Sequence, residues 1–273
     1  MALDSGPTQP GDVSITVQGH IGTIWLNRPE KRNAVSLESW AALPGAVHQL
    51  ERNDDVKVIV FRGVGDHFCG GADIATIGAQ LTDGDGPNSY RQINKVAEET
   101  IAAATKPTIA MLRGFCVGGG CQISLACDLR VADTTVKMGI TVAKLGFSYP
   151  GFALDRCARL IGASKTRYIL YSGDIIDSDL VDKWGMADFV VAPEELEAKV
   201  EGIANMMASR SMLTIRATKE QLATFDATSS ISDDVTAKWE LEAKHSPDIT
   251  EGVEAFVAKR TPVFTWTHPA SEG

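Results

Sequence analysis

The chain is short of positive charge, of long apolar runs and of spaced cysteines, and each shortage removes a class of function. Lys and Arg number 26 against 35 Asp and Glu, a formal net charge of −9, so the phosphates of a nucleic acid are not an expected partner. No apolar run approaches the roughly 20 residues that a membrane span requires. The opening MALDSGPTQPGD lacks the basic start and apolar core of a signal peptide, and residues 1–12 are expected to form a disordered leader. The five cysteines are odd in number and none has metal-ligand spacing. No metal site is expected. The thiols are expected to be reduced, small core residues of a cytoplasmic protein.

What remains has the composition of a globular domain, 44% hydrophobic and 22% charged over 273 residues, enough for one large domain or a core with an appendage. Val13 to Val17 and Ile21 to Leu26 read as a hairpin, and Val56 to Phe61 as a buried strand. Ser36 can cap a helix bearing Leu37, Trp40, Leu43, Val47 and Leu50 on one face, with Pro44 predicting a kink or a break. Residues 78–88, GAQLTDGDGPN, read as a loop, and Ser89 to Ala104 as a helix. Alternating strands and helices give an α/β fold with a mostly parallel sheet. Beyond about residue 160 the reading is helical, broken only by a strand at Phe189 to Val191.

The stretch PTIAMLRGFCVGGGCQISLACDLRVA (107–132) carries most of the information. An apolar strand from Pro107 to Gly114 leads into Gly118, Gly119 and Gly120. A short helix, Cys121 to Cys127, and a strand, Leu129 to Ala132, follow. Glycines at a strand-to-helix junction let a ligand approach backbone N–H groups that have no helical partner. That geometry suits a developing oxyanion; it also suits a plain tight turn. A second Gly-rich strand exit, HFCGGADIATI (67–77), sits about 50 residues earlier, so two turns can each offer one N–H to one oxygen.

Five pieces in order, RPEKRNAVS (28–36), FCGGADI (68–74), TKPTIAMLRGFCVGGGCQISLACDLRVA (105–132), AKLG (143–146) and EGVEAFVAKRTPVF (251–264), make the chain resemble the crotonase (enoyl-CoA hydratase/isomerase) superfamily from about residue 13 to 266. The resemblance implies a spiral of ββα units over residues 13–200. It also implies a helical C-terminal region, 201–273, that assembles the chain as a homotrimer or a dimer of trimers. It implies an acyl-CoA thioester as substrate, with coenzyme A present only as part of that substrate and no separate cofactor. Residue by residue, it maps the oxyanion donors onto the N–H groups of Ala72 and Gly119. It maps coenzyme A contacts onto Arg28, Lys31, Ala34, Ala72, Asp73, Ile74, Phe256 and Lys259, with Lys31 or Arg28 pairing a phosphate.

The chain departs from that pattern at the acid/base positions. Where the family's hydratases carry two glutamates, this sequence has Gln122 and Val142. An amide can position a water or a carbonyl but cannot exchange a proton at neutral pH. Tyr149, in LGFSYPG, falls near the position of a tyrosine in the family's methylmalonyl-CoA decarboxylase branch, although that branch has a His where this chain has Ala72. Tyr149 is the candidate proton donor, with Ser148 a weaker one. The reading is an acyl-CoA-processing enzyme that stabilises a thioester enolate. The alternatives are a malonyl-type acyl-CoA decarboxylase, a thioester hydrolase and a non-catalytic acyl-CoA-binding protein. Glu98 and Glu99 read as a solvated helix face, and Asp128 as a cap or a partner of Arg130 or of a neighbour.

Overall fold

A computed structural model describes residues 6–7, 11–74, 78, 86 and 88–267. In chain order β1 (Val13–Gln18), β2 (Ile21–Leu26), α1 (Leu37–Glu51), β3 (Val58–Gly63) and α2 (Tyr90–Ala102) come first. Then come β4 (Thr108–Leu112), β5 (Phe115–Val117), α3 (Gly119–Ala126), β6 (Leu129–Asp133) and β7 (Lys137–Gly139). The rest is α4 (Gly151–Ile161), α5 (Ala163–Ser172), β8 (Ile175–Ile176), α6 (Ser178–Trp184), β9 (Phe189–Val191), α7 (Leu196–Ala208), α8 (Met212–Thr228), α9 (Asp233–His245) and α10 (Pro247–Ala258).

Six strands form one sheet in the order β1-β2-β3-β4-β6-β9, and β5, β7 and β8 form a second. In the larger sheet only β1 runs antiparallel to its neighbour. The ββα spiral is visible in the order of use. β4 enters the large sheet, β5 the small one, and α3 follows; β6, β7 and α4 repeat the pattern.

Parallel strands covered on both faces are apolar throughout rather than alternating, and β3 shows how the two faces are shared. Ile59 and Phe61 join the cluster that contains Trp40, Leu43, Val47 and Leu50 of α1 and Ala97 and Ile101 of α2. Val58 and Val60 face the other way, onto Leu196, Val200, Ile203 and Ala204 of α7. Helix α7 therefore covers the sheet, and the division expected at residue 200 falls inside it.

Most elements lie within a residue or two of the expected ranges; β7 and β8 were not expected, since strands this short pair only within the small sheet, and the other exceptions also have physical causes. Helix α1 runs unbroken through Pro44. Its buried face, Trp40, Leu43, Ala46, Val47 and Leu50, anchors the turns on either side of the missing N–H. The strand expected at Val56 begins at Val58 because Lys57 and Val58 first donate to His20 O. Phe115–Val117 is a separate strand, since Gly114 at φ 51° turns the chain from one sheet to the other. The helix expected from Ala72 to Ile77 and the loop at 78–88 lie largely outside the described residues.

Candidate active site

The two Gly-rich turns meet. Cys69 N donates to Phe115 O at 2.8 Å, Val117 N donates to Cys69 O at 3.0 Å, and Gly118 N donates to Gly139 O at 2.8 Å. These bonds fasten the exit of β3 to β5, and β5 to β7. Two glycines take positive φ at the junction, Gly71 at 106° and Gly118 at 51°, where a side chain is strained. Close approach does the rest: a Cβ on Gly119 would lie 3.6 Å from Ala72 N. The helix starts at Gly119, two residues earlier than the sequence suggested, so the glycines form its first turn. The N–H groups of Ala72 and Gly119 have no acceptor among the described residues.

These turns form one wall of a cleft of about 360 Å³. Ala72, Ile74, Gly119, Gln122 and Tyr149 all line it, beside Val142 and Ser148. Tyr90, Arg91 and Asn94 of α2 and Thr141 complete the polar lining. Among the described residues no Asp or Glu lines the cleft.

Gln122 is buried and its Oε1 accepts from Asn94 Nδ2 at 3.2 Å. The Tyr149 hydroxyl is enclosed and has no hydrogen-bond partner among the described residues. Burial pushes its pKa well up, with nearby Cys121 and Glu98 adding to the effect, so the phenol keeps its proton. Burial likewise lifts the Cys69 and Cys127 thiols to about 12. All five cysteines are free and buried, which makes them packing residues rather than nucleophiles.

The residues expected to meet coenzyme A divide into two groups. Asp73 Oδ2 accepts from Arg28 Nη2 at 2.8 Å and Lys31 Nζ at 2.9 Å, and Arg28 Nη1 donates to Ala34 O at 2.7 Å. The hydrogen bonds from Lys31 and then Arg28 hold the Asp73 carboxyl below the usual carboxylate range. Arg28 is thus committed within the chain, whereas Lys31 is 46% exposed in its side chain. This cluster adjoins the cleft through Ala72 and Ile74. Phe256 and Lys259 do not line the cleft; Phe256 stands 85% exposed on α10.

Asp128 meets the neighbour alternative of its expected pairing, and Glu98 differs from the sequence reading. Asp128 accepts from Thr108 N at 2.7 Å and Lys219 Nζ at 2.6 Å, while Arg130 pairs with Asp188. Glu98 is 0% exposed rather than solvated, and its Oε2 accepts from Arg156 Nη1 at 3.1 Å. Burial pushes its pKa up to about 8, against the pull of Arg156 and the Asn94 amide. Asn94 and Glu98 were legible only as polar residues on the apolar stripe Ala97–Ile101 of an amphipathic helix, a signal that asks for a buried partner.

Known proteins show the same fold and sequence pattern. The sequence model of the enoyl-CoA hydratase/isomerase family matches residues 16–267. A crotonyl-CoA hydratase of Syntrophomonas wolfei is 30% identical over 252 residues, covering 89% of this chain and 94% of that protein. A mevalonyl-coenzyme A hydratase of Aspergillus fumigatus is 28% identical, covering 96% and 97%. The crystal structure of an enoyl-CoA hydratase/carnithine racemase from Magnetospirillum magneticum superposes with a TM-score of 0.89 at 29% identity, over 94% of this chain and 96% of that one. The chain belongs to the enoyl-CoA hydratase/isomerase family, within the crotonase superfamily, and is an acyl-CoA enzyme of that family.

Proposed function

We propose that the cleft binds an acyl-CoA thioester with its carbonyl oxygen between the N–H groups of Ala72 and Gly119, and that catalysis proceeds through the enolate these donors stabilise. The observation that carries this reading is two backbone donors from separate turns, without acceptors among the described residues, brought together at the wall of a cleft. Such donors act where charge develops and are each worth roughly 3–4 kcal/mol of barrier.

The cleft's side chains then select among enolate reactions. Adding water or moving a double bond needs a base that reaches the substrate. The described lining has none, because Gln122 and Val142 stand where glutamates serve in the hydratases. Loss of CO2 from a malonyl-type thioester needs no base: the C–C bond's electron pair becomes the enolate. The enolate then takes a proton, for which Tyr149 is the candidate donor. Decarboxylation of a malonyl-type acyl-CoA is therefore the favoured reaction. Lys31 is placed to meet a phosphate of the coenzyme. The exposed apolar side chains of α9 and α10, Leu241, Ile249, Val253, Phe256 and Val257, support assembly through the C-terminal helices. Among the described residues no helix is long and apolar enough to cross a membrane.

The test is turnover of crotonyl-CoA and of malonyl-type thioesters by the purified protein, beside a two-glutamate hydratase. Decarboxylation without crotonyl-CoA hydration is expected. Hydration near the control rate would refute the reasoning from Gln122 and Val142. Tight binding of every thioester without turnover would make the chain a binder.

A further inference from the structure

Two buried polar atoms behind the cleft have no hydrogen-bond partner among the described residues, Asn94 Oδ1 and Glu98 Oε1. They belong to residues four apart on α2, so their side chains are neighbours on one helix face, and both residues are 0% exposed. The remaining atoms of these groups are engaged. Asn94 Nδ2 donates to Gln122 Oε1, and Glu98 Oε2 accepts from Arg156. The row is Arg156, Glu98, Asn94 and Gln122, and its last two members line the cleft. Two bare acceptors on neighbouring side chains cannot satisfy each other. A proton on Glu98 Oε1 lets it donate to Asn94 Oδ1 and meets both atoms at once.

We propose that Glu98 is a positioning residue. As a neutral acid it donates to Asn94 Oδ1, which holds Asn94 Nδ2 on Gln122 Oε1 and leaves the Gln122 amide –NH2 as a hydrogen-bond donor to an acceptor oxygen on the acyl chain. The consequence for the substrate rests on reading the cleft as the acyl-thioester site. Each amide in the row has one donor end and one acceptor end, so the direction set at Glu98 is passed outward. An ionised Glu98 can only accept. Asn94 Nδ2 then turns to Glu98, Asn94 Oδ1 turns to Gln122, and Gln122 presents Oε1 to the cleft.

The charged and titratable groups around Glu98 decide which form prevails. Arg156 from α4 and the Asn94 amide favour the anion. Burial, the largest influence, and Glu99 on the same helix favour the acid, and the carboxyl is pushed to about 8. Tyr90 and Tyr149 face it as neutral phenols, whose own ionisation Glu98 opposes. At neutral pH the acid form holds, and the pocket favours a thioester whose chain bears an acceptor oxygen, such as a carboxylate, over a plain alkyl chain.

The direct test needs no substrate. With glutamine side chains labelled with 15N, the Gln122 amide signal, identified by its loss in Gln122→Glu, is followed from pH 6.5 to 9.5. A titration with its midpoint near 8 is expected. It should vanish in Glu98→Gln, whose amide donates to Asn94 as the neutral acid does. Asn94→Leu, which breaks the row, supplies the same control should Glu98→Gln fold poorly. A flat Gln122 signal, or a titration that persists in either variant, overturns the proposal. A second arm measures malonyl-CoA against butyryl-CoA in competition. The preference for malonyl-CoA should fall roughly tenfold across this range, the value of one hydrogen bond to a charged group; an unchanged preference refutes the role assigned to Gln122. Failure of butyryl-CoA to bind at either pH counts against the thioester site, and the Gln122 titration then decides the row by itself.

Discussion

Gly120→Ala tests whether the meeting of the two turns sets the rate. Gly120 is the second residue of α3 and packs on the opposite turn. A Cβ there would lie 2.7 Å from Cys69 O and 2.8 Å from Cys69 Cβ. Cys69 cannot step aside, because its N–H and C=O bond to Phe115 and Val117 across the junction. Helix α3 must retreat instead. Reaching ordinary contact at 3.4 Å from 2.7 Å takes 0.7 Å, the difference of the two. Gly119 N moves with α3 while Ala72 N stays with the other turn. Oxyanion donors work within about 2.7–3.1 Å, so a shift of this size takes one donor out of range and costs about 10²–10³ in kcat, or roughly 2.7–4 kcal/mol. KM should move far less, since the interaction strengthens only in the transition state. Overpacking should also lower stability by about 1–3 kcal/mol, read as a lower denaturant midpoint. The assay is kcat on the thioester turned over in the screen, per folded protein. Gly45→Ala is the control. Gly45 lies in α1 with nothing within 4 Å of its Cβ, and the change should stabilise by about 0.5–1 kcal/mol at unchanged rate. A folded Gly120→Ala protein with undiminished kcat would show that these two N–H groups do not hold the reacting oxygen.

Four further outcomes are expected. Tyr149→Phe removes an enclosed, unpartnered hydroxyl, so Tm should hold or rise while kcat falls by about 10² or more if the phenol donates the proton; an unchanged rate would assign Tyr149 to packing. Glu98 has its folded pKa raised from 4.5 to about 8, so the stability it contributes is complete below about 4.5 and is lost as pH rises through about 8. The Tm of Glu98→Gln relative to the unmodified chain should therefore climb across that window and level off above it, and a pH-independent difference would contradict the burial argument. Glu197→Ala removes the carboxylate that accepts two hydrogen bonds from Arg62, which also lies over the Trp25 ring at 4.4 Å; unfolding measurements should show a loss of about 1–3 kcal/mol, and an unchanged stability would mean that the pair contributes nothing net. Lys31→Ala should weaken coenzyme A binding by up to about fivefold, an effect that fades with added salt; a salt-insensitive loss would indicate lost packing instead.

The chain's local rules show in its sequence and its long-range pairings do not. The hairpin Val13–Leu26, the cap at Ser36 and the helix Asp233–His245 follow from alternation in its first strand, a hydroxyl before an apolar period, and charge placement, all of which act within a few residues. The junction was legible because Gly71, Gly118 and Gly120 do jobs that only glycine does there: positive φ at the first two, and contact with Cys69 at the third. Position 120 also shows why the helix start was misplaced. Glycine is a poor helix former, and only packing against Cys69 explains its place in the first turn. Phe115–Val117 hid inside one apolar run because the two sheets it separates are assembled from strands distant in sequence.

Glu98 marks the limit of pattern reading more sharply. On α2 it lies one residue from the exposed Glu99, and periodicity puts it on the apolar stripe without naming the partner that a buried carboxyl needs. The deciding partner, Arg156, is 58 residues away on the helix that follows Tyr149 and Pro150. The arrangement has a chemical logic. A carboxylate in the cleft transfers protons, as the hydratases' glutamates do. Moved one helical turn behind an Asn and a Gln, a carboxyl no longer reaches substrate, but its protonation still fixes which end of Gln122 the substrate meets. With Gln122 and Val142 in the lining, the proposed row leaves a surface whose hydrogen-bond polarity is set at Glu98. That suits a reaction in which bond cleavage needs no base and the substrate's charged group must be recognised.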